Sequence, residues 1–358
     1  MAKRRTGSFA THGKPVGWAV IGLGMGRWHA RFIARSPGLS LVALCDANPE
    51  VLDAAGAEFP SLPRYRSITE LLRDDRVEGV SVVIPHNQHA REAIRCLRAG
   101  RHVVTDKPFC LTVAEGRRMI AASREAGRLL SVFHNRRWDA DFVTIRGLVE
   151  RGAIGKVRYL ESRVTGPGWF KPGVWRTDAR QMGGLLYDWP AHLIDQALQL
   201  IPSRPVSVTG LAQRDTPPRA GDDVEHRMQA LVRFQDDAIA LVGWVMKSAA
   251  PMPRFVIEGE RGGIRAEATV SSIKKPEGGT VTLHTVGTGG KVKTREVPLA
   301  KVEWVSYYRN VAAALAGKAD LAVRPEQALR HVAVCEAAYR SARSGKTVEL
   351  AAEPFLEE

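Results

Sequence analysis

Val16-Gly17-Trp18-Ala19-Val20-Ile21-Gly22-Leu23-Gly24-Met25-Gly26 is the stretch on which the reading of this chain turns. Val16 to Ile21 is almost continuously apolar, as a strand covered on both faces must be, and the glycines that follow read as a turn into a helix. Glycine lets such a turn close tightly and lets backbone N–H groups at the helix start approach a phosphate. Gly22, Gly24, Met25 and Gly26 are therefore expected to contact a dinucleotide pyrophosphate. The third glycine comes one residue early for the usual pattern, and a merely tight strand-to-helix connection satisfies the same spacing.

Downstream, the strands Leu41 to Cys45, Gly79 to Ile84, His102 to Thr105 and Leu129 to Phe133 alternate with helical stretches, the pattern of βαβ units and a parallel sheet. Asp46 follows Leu41 to Cys45, the second strand of the chain, where a carboxylate can accept both ribose hydroxyls of an adenosine and repel a 2'-phosphate. It favours NAD over NADP. A strand-end aspartate opening the turn into Asn48-Pro49 would account for it equally well.

Beyond about Asp139 the pattern changes. A helix carrying Phe142, Ile145, Leu148 and Val149 leads into a strand from Lys156 to Val164. Val224, His226, Met228, Ala230, Val232 and Phe234 then alternate with mostly polar neighbours. Further strands are expected at Ala238 to Met246, Arg254 to Glu258, Ile264 to Val270 and Val281 to His284, with turn signals between several of them. This predicts an antiparallel meander with one open face, closed by helices from Trp304 to Leu315 and Pro325 to Ser344. The expected class is α/β: a basic arm (1–14), a Rossmann domain with a parallel sheet (15–135), and an α+β domain with a large, mainly antiparallel open-faced sheet (136–358).

Composition narrows the function classes. The 44% hydrophobic and 25% charged content is globular, and no apolar run is long enough to span a bilayer. Cys45, Cys96, Cys110 and Cys335 are far apart with no CxxC pair, which fits free thiols in a reducing, cytoplasmic compartment and gives no metal site. The net charge of +14 is spread along the chain rather than clustered, which argues against a nucleic-acid footprint.

Three further places carry chemistry. Lys107, in Thr105-Asp106-Lys107-Pro108, follows a parallel strand whose carboxyl end should face the ligand crevice, so its ammonium could polarise a substrate oxygen; a surface lysine paired with Asp106 fits as well. In Gly183-Gly184-Leu185-Leu186-Tyr187-Asp188-Trp189-Pro190-Ala191-His192, Pro190 must lie in the first turn of a helix, which puts Asp188 and His192 one turn apart on one face. They form a carboxylate-oriented acid/base, or else an N-cap and a core histidine. Trp169, Phe170, Trp175 and Arg176 occupy a Gly/Pro-interrupted loop suited to the C–H faces of a sugar or to filling a small core. His134-Asn135-Arg136-Arg137-Trp138 falls at the expected domain junction; Arg136 and Arg176 could serve a sugar acid or be structural.

Taken in order, these motifs resemble the Gfo/Idh/MocA family of glucose-fructose oxidoreductase and inositol dehydrogenase. The resemblance rests on the glycine turn followed by His29, on Pro85-His86-Asn87-Gln88-His89, on Asp106-Lys107-Pro108 where the family has Glu-Lys-Pro, on Asn135-Arg136-Arg137, and on Asp188 and His192. It extends to Ala337-Ala338-Tyr339-Arg340-Ser341-Ala342. It implies Lys107, Asp188 and His192 as the catalytic set, with His192 the acid/base. It also implies cofactor contacts from Pro85, His89, Asp106, Lys107 and Asn135, and substrate contacts from Lys107, Arg136, Trp175, Arg176, Asp188 and His192. A homodimer or homotetramer through the open sheet face is implied too. The expected function is hydride transfer between NAD and a secondary alcohol of a sugar, inositol or related polyol. The alternatives are glycoside cleavage by transient oxidation with NAD, and a non-enzymatic NAD- or sugar-sensing regulator.

Overall fold

The computed structural model describes residues 13–166, 172–181, 184–215, 220–245, 248–250, 252–267 and 279–357. Trp169, Phe170, Gly183 and nearly all of the basic arm lie outside them. The chain forms two units: one runs to His134 and regains Trp304–Ala328, and the other holds Asn135–Glu303 and the stretch from Leu329 onward.

The first unit contains β1 (Val16–Ile21), α1 (Gly26–Ala34), β2 (Leu39–Cys45), α2 (Pro49–Glu58), β3 (Arg64–Tyr65), α3 (Ile68–Leu71), β4 (Gly79–Val82), α4 (His89–Arg98), β5 (His102–Thr105), α5 (Val113–Ala126) and β6 (Leu130–Val132). The strands lie in the order β3-β2-β1-β4-β5-β6, every pair parallel. That order reverses beside β1, and in open sheets of this kind ligands bind at the carboxyl ends flanking the reversal. β1, β4, β5 and β6 are buried along their whole length, as the apolar runs predict. Local chemistry sets the helix limits: the Asn48 side chain accepts from the Glu50 and Val51 N–H groups with Pro49 in the first turn of α2. Thr112 caps α5, and Gly127 ends it at φ +59°.

The second unit contains α6 (Ala140–Glu150), β7 (Val157–Thr165), α7 (Trp189–Leu200), β8 (Pro205–Gln213), β9 (Arg227–Phe234), β10 (Ile239–Val245), β11 (Phe255–Gly259), β12 (Gly262–Glu267), β13 (Thr280–Val286) and β14 (Val292–Val297). After α8 (Ser306–Leu315) and α9 (Pro325–Ser344), β15 (Val348–Glu349) completes a nine-stranded sheet of order β14-β13-β12-β11-β7-β10-β9-β8-β15. Its alternation is as expected: Met228, Ala230, Val232 and Phe234 of β9 are buried while Leu231 and Arg233 are exposed.

The expected meander is corrected at two places. β7 enters between β10 and β11 and pairs in parallel with β10, a long-range insertion that no local turn signal announces. No strand was expected at β8, β14 or β15, all three of which lie at or next to a sheet edge and carry exposed positions. The His226 position, counted into the alternation, precedes β9.

The domain limits differ as well. Trp304–Ala328, expected inside a continuous 136–358 domain, groups with the first unit. The physical reason is the adjacent pair Tyr307 and Tyr308, both wholly buried, whose rings lie 4.9 and 5.6 Å from that of Phe133 at the end of β6. Tyr307 also donates to Ser131 in β6.

Candidate functional site

The glycine turn separates three roles that the spacing alone left ambiguous. Gly22 has φ +84°, and a Cβ there would fall 2.0 Å from the Val83 carbonyl oxygen, so only glycine allows the turn where β1 and β4 part. A Cβ on Gly26 would lie 2.8 Å from the Val20 methyl, so this glycine lets α1 pack on β1. Gly24 differs: nothing of the protein lies within 4 Å of an added Cβ. No packing within the described residues requires glycine at this position. Met25 occupies the N-cap position of α1 without a side-chain capping bond, and no acidic residue stands in the first turn. A helix start with no acidic residue in its first turn suits a pyrophosphate.

Asp46 has a structural task beside its expected one. Its Oδ2 accepts from the Leu23 N–H at 2.7 Å and its Oδ1 from the Asn48 N–H at 2.8 Å, so it ties the end of β2 to the glycine turn. Both readings of the sequence are thus compatible with one carboxylate, which has further acceptor capacity on each oxygen.

Pro85 precedes a short 3-10 turn, His86–Gln88, and His89 opens α4. The His89 ring is fully buried, with Nδ1 2.7 Å from the Pro108 carbonyl oxygen and Nε2 2.9 Å from that of Ile84. Carbonyl oxygens only accept, so the ring in its neutral form donates to one of the two, and it sits between the loops after β4 and β5. Burial lowers its pKa, an effect opposed by those carbonyls and by Asp106.

Asp106 and the half-exposed Lys107 follow β5, and the Lys107–Pro108 peptide is cis. Burial by itself would raise the Asp106 carboxyl, but the His29 ring facing it, with Lys107 and His89 nearby, holds it well below the usual carboxylate range.

The remaining expected residues belong to the second unit. Asn135 and Arg136 lie in the 3-10 turn Asn135–Trp138 and are buried. The Arg136 guanidinium stacks 4.6 Å over the Trp189 ring and faces both Asp139 oxygens at 3.3 Å, while its carbonyl accepts from Gln196 Nε2 at 2.7 Å. These contacts fix α7 to the turn and give Arg136 the structural task that the sequence left open. Arg137 forms a two-pronged pair with Asp195 at 2.8 and 2.6 Å, anchoring the same helix at the residue next to Gln196.

Asp188 and His192 stand at the start of α7, and both are buried. Asp188 occupies the N-cap position as the bland reading proposed, but its side chain makes no capping hydrogen bond. The approach to it is stitched by backbone: Gly184 N–H donates to the Arg176 carbonyl at 2.8 Å, and Asp188 N–H to that of Leu185. Arg176 itself lies 4.4 Å over the Trp175 ring, both partly exposed. The structure thus brings the Trp175-Arg176 loop and the Asp188 segment together within the second unit.

Two supports escaped the sequence reading. Glu225 Oε1 accepts from the Leu185 and Leu186 N–H groups at 2.8 and 2.9 Å, and a Cβ on Gly184, at φ +94°, would sit 2.7 Å from that carboxylate. Read in the alternating stretch, Glu225 looked like an outward polar residue. Arg254 bridges Asp141 through Nη1 at 3.0 and 2.9 Å and Asp139 through Nη2 at 2.5 Å, all three buried. A cavity of about 330 Å³ lined by Leu186, Arg214, Glu225, Tyr339 and Arg343 includes neither Asp188 nor His192.

Residues 16–134 match the oxidoreductase family with an NAD-binding Rossmann fold, and residues 142–265 match the GFO/IDH/MocA C-terminal domain. The chain is 34% identical to the uncharacterized oxidoreductase YdgJ of Escherichia coli over 69% of each chain. It is 28% identical to the NADP-dependent scyllo-inositol 2-dehydrogenase IolW of Bacillus subtilis, over 82% of this chain and 84% of that one. Among solved structures, the aldose-aldose oxidoreductase of Caulobacter crescentus, complexed with glycerol, superposes with a TM-score of 0.80 at 27% identity, covering 94% of this chain and all of the other. With the 3-2-1-4-5-6 sheet, the glycine turn and the open-faced second sheet, these matches make the chain a member of the Gfo/Idh/MocA family of oxidoreductases.

Proposed function

We propose that this protein is a dehydrogenase that moves hydride between NAD and a secondary alcohol carbon of a sugar, inositol or related polyol. The observation that carries the reading is the start of α7, where Asp188 stands one turn before His192 and its carboxylate is not spent on capping the helix. Gly22, Gly24 and Gly26 would hold the pyrophosphate, with the α1 N–H groups directed to it. The Asp46 carboxylate would accept from the ribose hydroxyls, and its charge disfavours a 2'-phosphate. The dinucleotide, when bound, supplies the hydride acceptor.

The protein's own groups do the proton chemistry. The His192 imidazole takes the hydroxyl proton as the alcohol is oxidised, because its pKa lies closest to neutral pH among side chains. Asp188 orients that ring and balances the charge it gains. Lys107 stabilises the negative charge that develops on the substrate oxygen. Asp106, held as an anion, keeps the Lys107 loop electrically balanced.

The test is a panel of inositols, aldoses, sugar acids and glycosides with NAD and with NADP, followed by the absorbance of reduced cofactor. Lys107→Met and His192→Asn are expected to lower turnover by about 10²–10⁴-fold while leaving NAD affinity within about threefold. Undiminished turnover in both variants, or release of an aglycone without accumulation of reduced cofactor, would remove the proposal.

A further inference from the structure

We infer that Tyr308 and His29 are positioning residues for Asp106, acting through a buried hydrogen-bond chain that has one consistent proton order. The chain lies wholly in the first unit. Trp18 Nε1 lies 2.9 Å from Ser81 Oγ, Ser81 Oγ lies 2.7 Å from the Tyr308 hydroxyl, and that hydroxyl lies 2.7 Å from His29 Nδ1. On the far side of the imidazole, His29 Nε2 faces Asp106 Oδ1 at 3.8 Å. Trp18, Ser81 and Tyr308 are fully buried and His29 nearly so, so no solvent can substitute for a missing partner.

The order follows from the donors. An indole nitrogen can only donate, so Ser81 Oγ accepts from Trp18. The Ser81 proton then has Tyr308 as its acceptor, and the Tyr308 proton goes to His29 Nδ1. His29 is left carrying its proton on Nε2, aimed at the Asp106 carboxylate. Reversing the order would make His29 Nδ1 a donor to Tyr308 and Tyr308 a donor to Ser81, leaving the Ser81 hydroxyl proton with no acceptor in a closed core. An unsatisfied buried donor of that kind costs about 1–3 kcal/mol. Burial keeps the Tyr308 phenol far above its ordinary pKa, so its proton is available throughout the physiological range. The ring of His29 is also fixed in place, 4.2 Å from that of Phe133 and edge-on to Tyr308.

The groups facing this chain are few. His29 meets Tyr308 from α8, Asp106 from the end of β5 and the apolar Phe133 from the end of β6. Asp106 meets His29 from α1, His89 from α4 and its own neighbour Lys107. With Oδ1 turned to the imidazole N–H, Oδ2 is the oxygen able to accept from a hydroxyl of a bound dinucleotide. Residues 304–328 thereby set the carboxylate next to Lys107, which explains why a segment so late in the chain belongs with the first unit.

The inference rests on the proposed cofactor site, and the experiment separates the two. In full-length protein, imidazole ¹⁵N resonances should show His29 Nδ1 as a hydrogen-bonded acceptor with the proton on Nε2. Tyr308→Phe keeps the ring and removes the hydroxyl, so the Nδ1 resonance should move to that of an acceptor without a donor, and NAD affinity should fall as the imidazole loses its anchor. His29→Leu should weaken NAD binding about tenfold, as Asp106 loses the polar group that faces it. His29→Gln, which offers Asp106 an amide N–H, should restore most of it. If Tyr308→Phe leaves the Nδ1 resonance and NAD affinity unchanged, the inference is wrong, whether or not His29→Leu folds. If the wild-type protein binds neither NAD nor NADP, the cofactor reading falls, while the tautomer measurement still decides the proton order.

Discussion

In the first unit, the groups that would meet a dinucleotide are set by backbone: Gly22 by its left-handed φ, Gly26 by close packing on Val20, the α1 N–H groups by where the helix begins. In the second unit, the groups that would meet a substrate are set by buried ions: Arg137 with Asp195, Arg136 with Asp139, and Arg254 with Asp139 and Asp141. The difference teaches where each unit is fragile. A backbone site fails when a Cβ is added, and an ionic scaffold fails when one partner is removed and leaves the other charged in a medium that cannot solvate it.

The largest effect should come from the ionic side. Arg254→Ala takes from the buried Asp139 and Asp141 the cation that bridges them, and is expected to lower stability by about 3–5 kcal/mol. Burial and the neighbouring Asp139 already push the Asp141 carboxyl up, and the Arg254 charge works against that rise. Chemical denaturation measures the loss; a change below about 1 kcal/mol would mean that the cluster is not what fixes this unit.

On the backbone side, Gly22→Ala and Gly24→Ala should diverge. The first forces a Cβ into the Val83 carbonyl at positive φ and is expected to cost about 2–3 kcal/mol of stability. The second meets no protein atom, so stability should stay within about 0.5 kcal/mol while NAD affinity falls. Equal stability losses in the pair would erase the division of roles argued for the three glycines.

The smallest effect concerns a neutral buried group. Burial, with Arg128 nearby, lowers the His102 pKa from 6.5 to about 4. Its Nδ1 accepts from the Leu129 N–H at 2.9 Å. The folded pKa lies below the unfolded one, so above about pH 6.5 the two states match and stability is full. As pH falls from there toward 4, the unfolded chain binds a proton that the folded chain refuses. Between pH 7 and pH 5 this should remove about 2 kcal/mol. The decline should flatten below pH 4. A His102→Gln variant that keeps the whole acid slope would assign the loss to other groups.

Legibility in the sequence followed the range of the interactions. β1 and β5 were bounded correctly from their apolar runs, and the Gly22 turn was recognised because strand, turn and helix are contiguous. Asp188 and His192 were paired because one helical turn joins them and Pro190 fixes the phase. Glu225, Arg254 and Tyr308 were not found. Each acts on residues far away in the chain, Glu225 on Leu185 and Leu186, Arg254 on Asp139 and Asp141, Tyr308 on His29 and Ser81. Nothing in their own neighbourhoods distinguishes them from surface or filler residues. His89 was read as a cofactor contact because its motif was visible and its two carbonyl partners were not.

By itself, then, the sequence determined the alternation of strand and helix, the parallel sheet and the position of the glycine turn, since periodicity and glycine's steric freedom act within a few residues. Only the tertiary structure decided that β7 would split the second sheet, that Trp304–Ala328 would return to the first unit, and that Arg136 and His89 would be held by protein partners. Those outcomes depend on which buried polar and aromatic groups satisfy one another across the fold, and that matching exists only once the chain is packed.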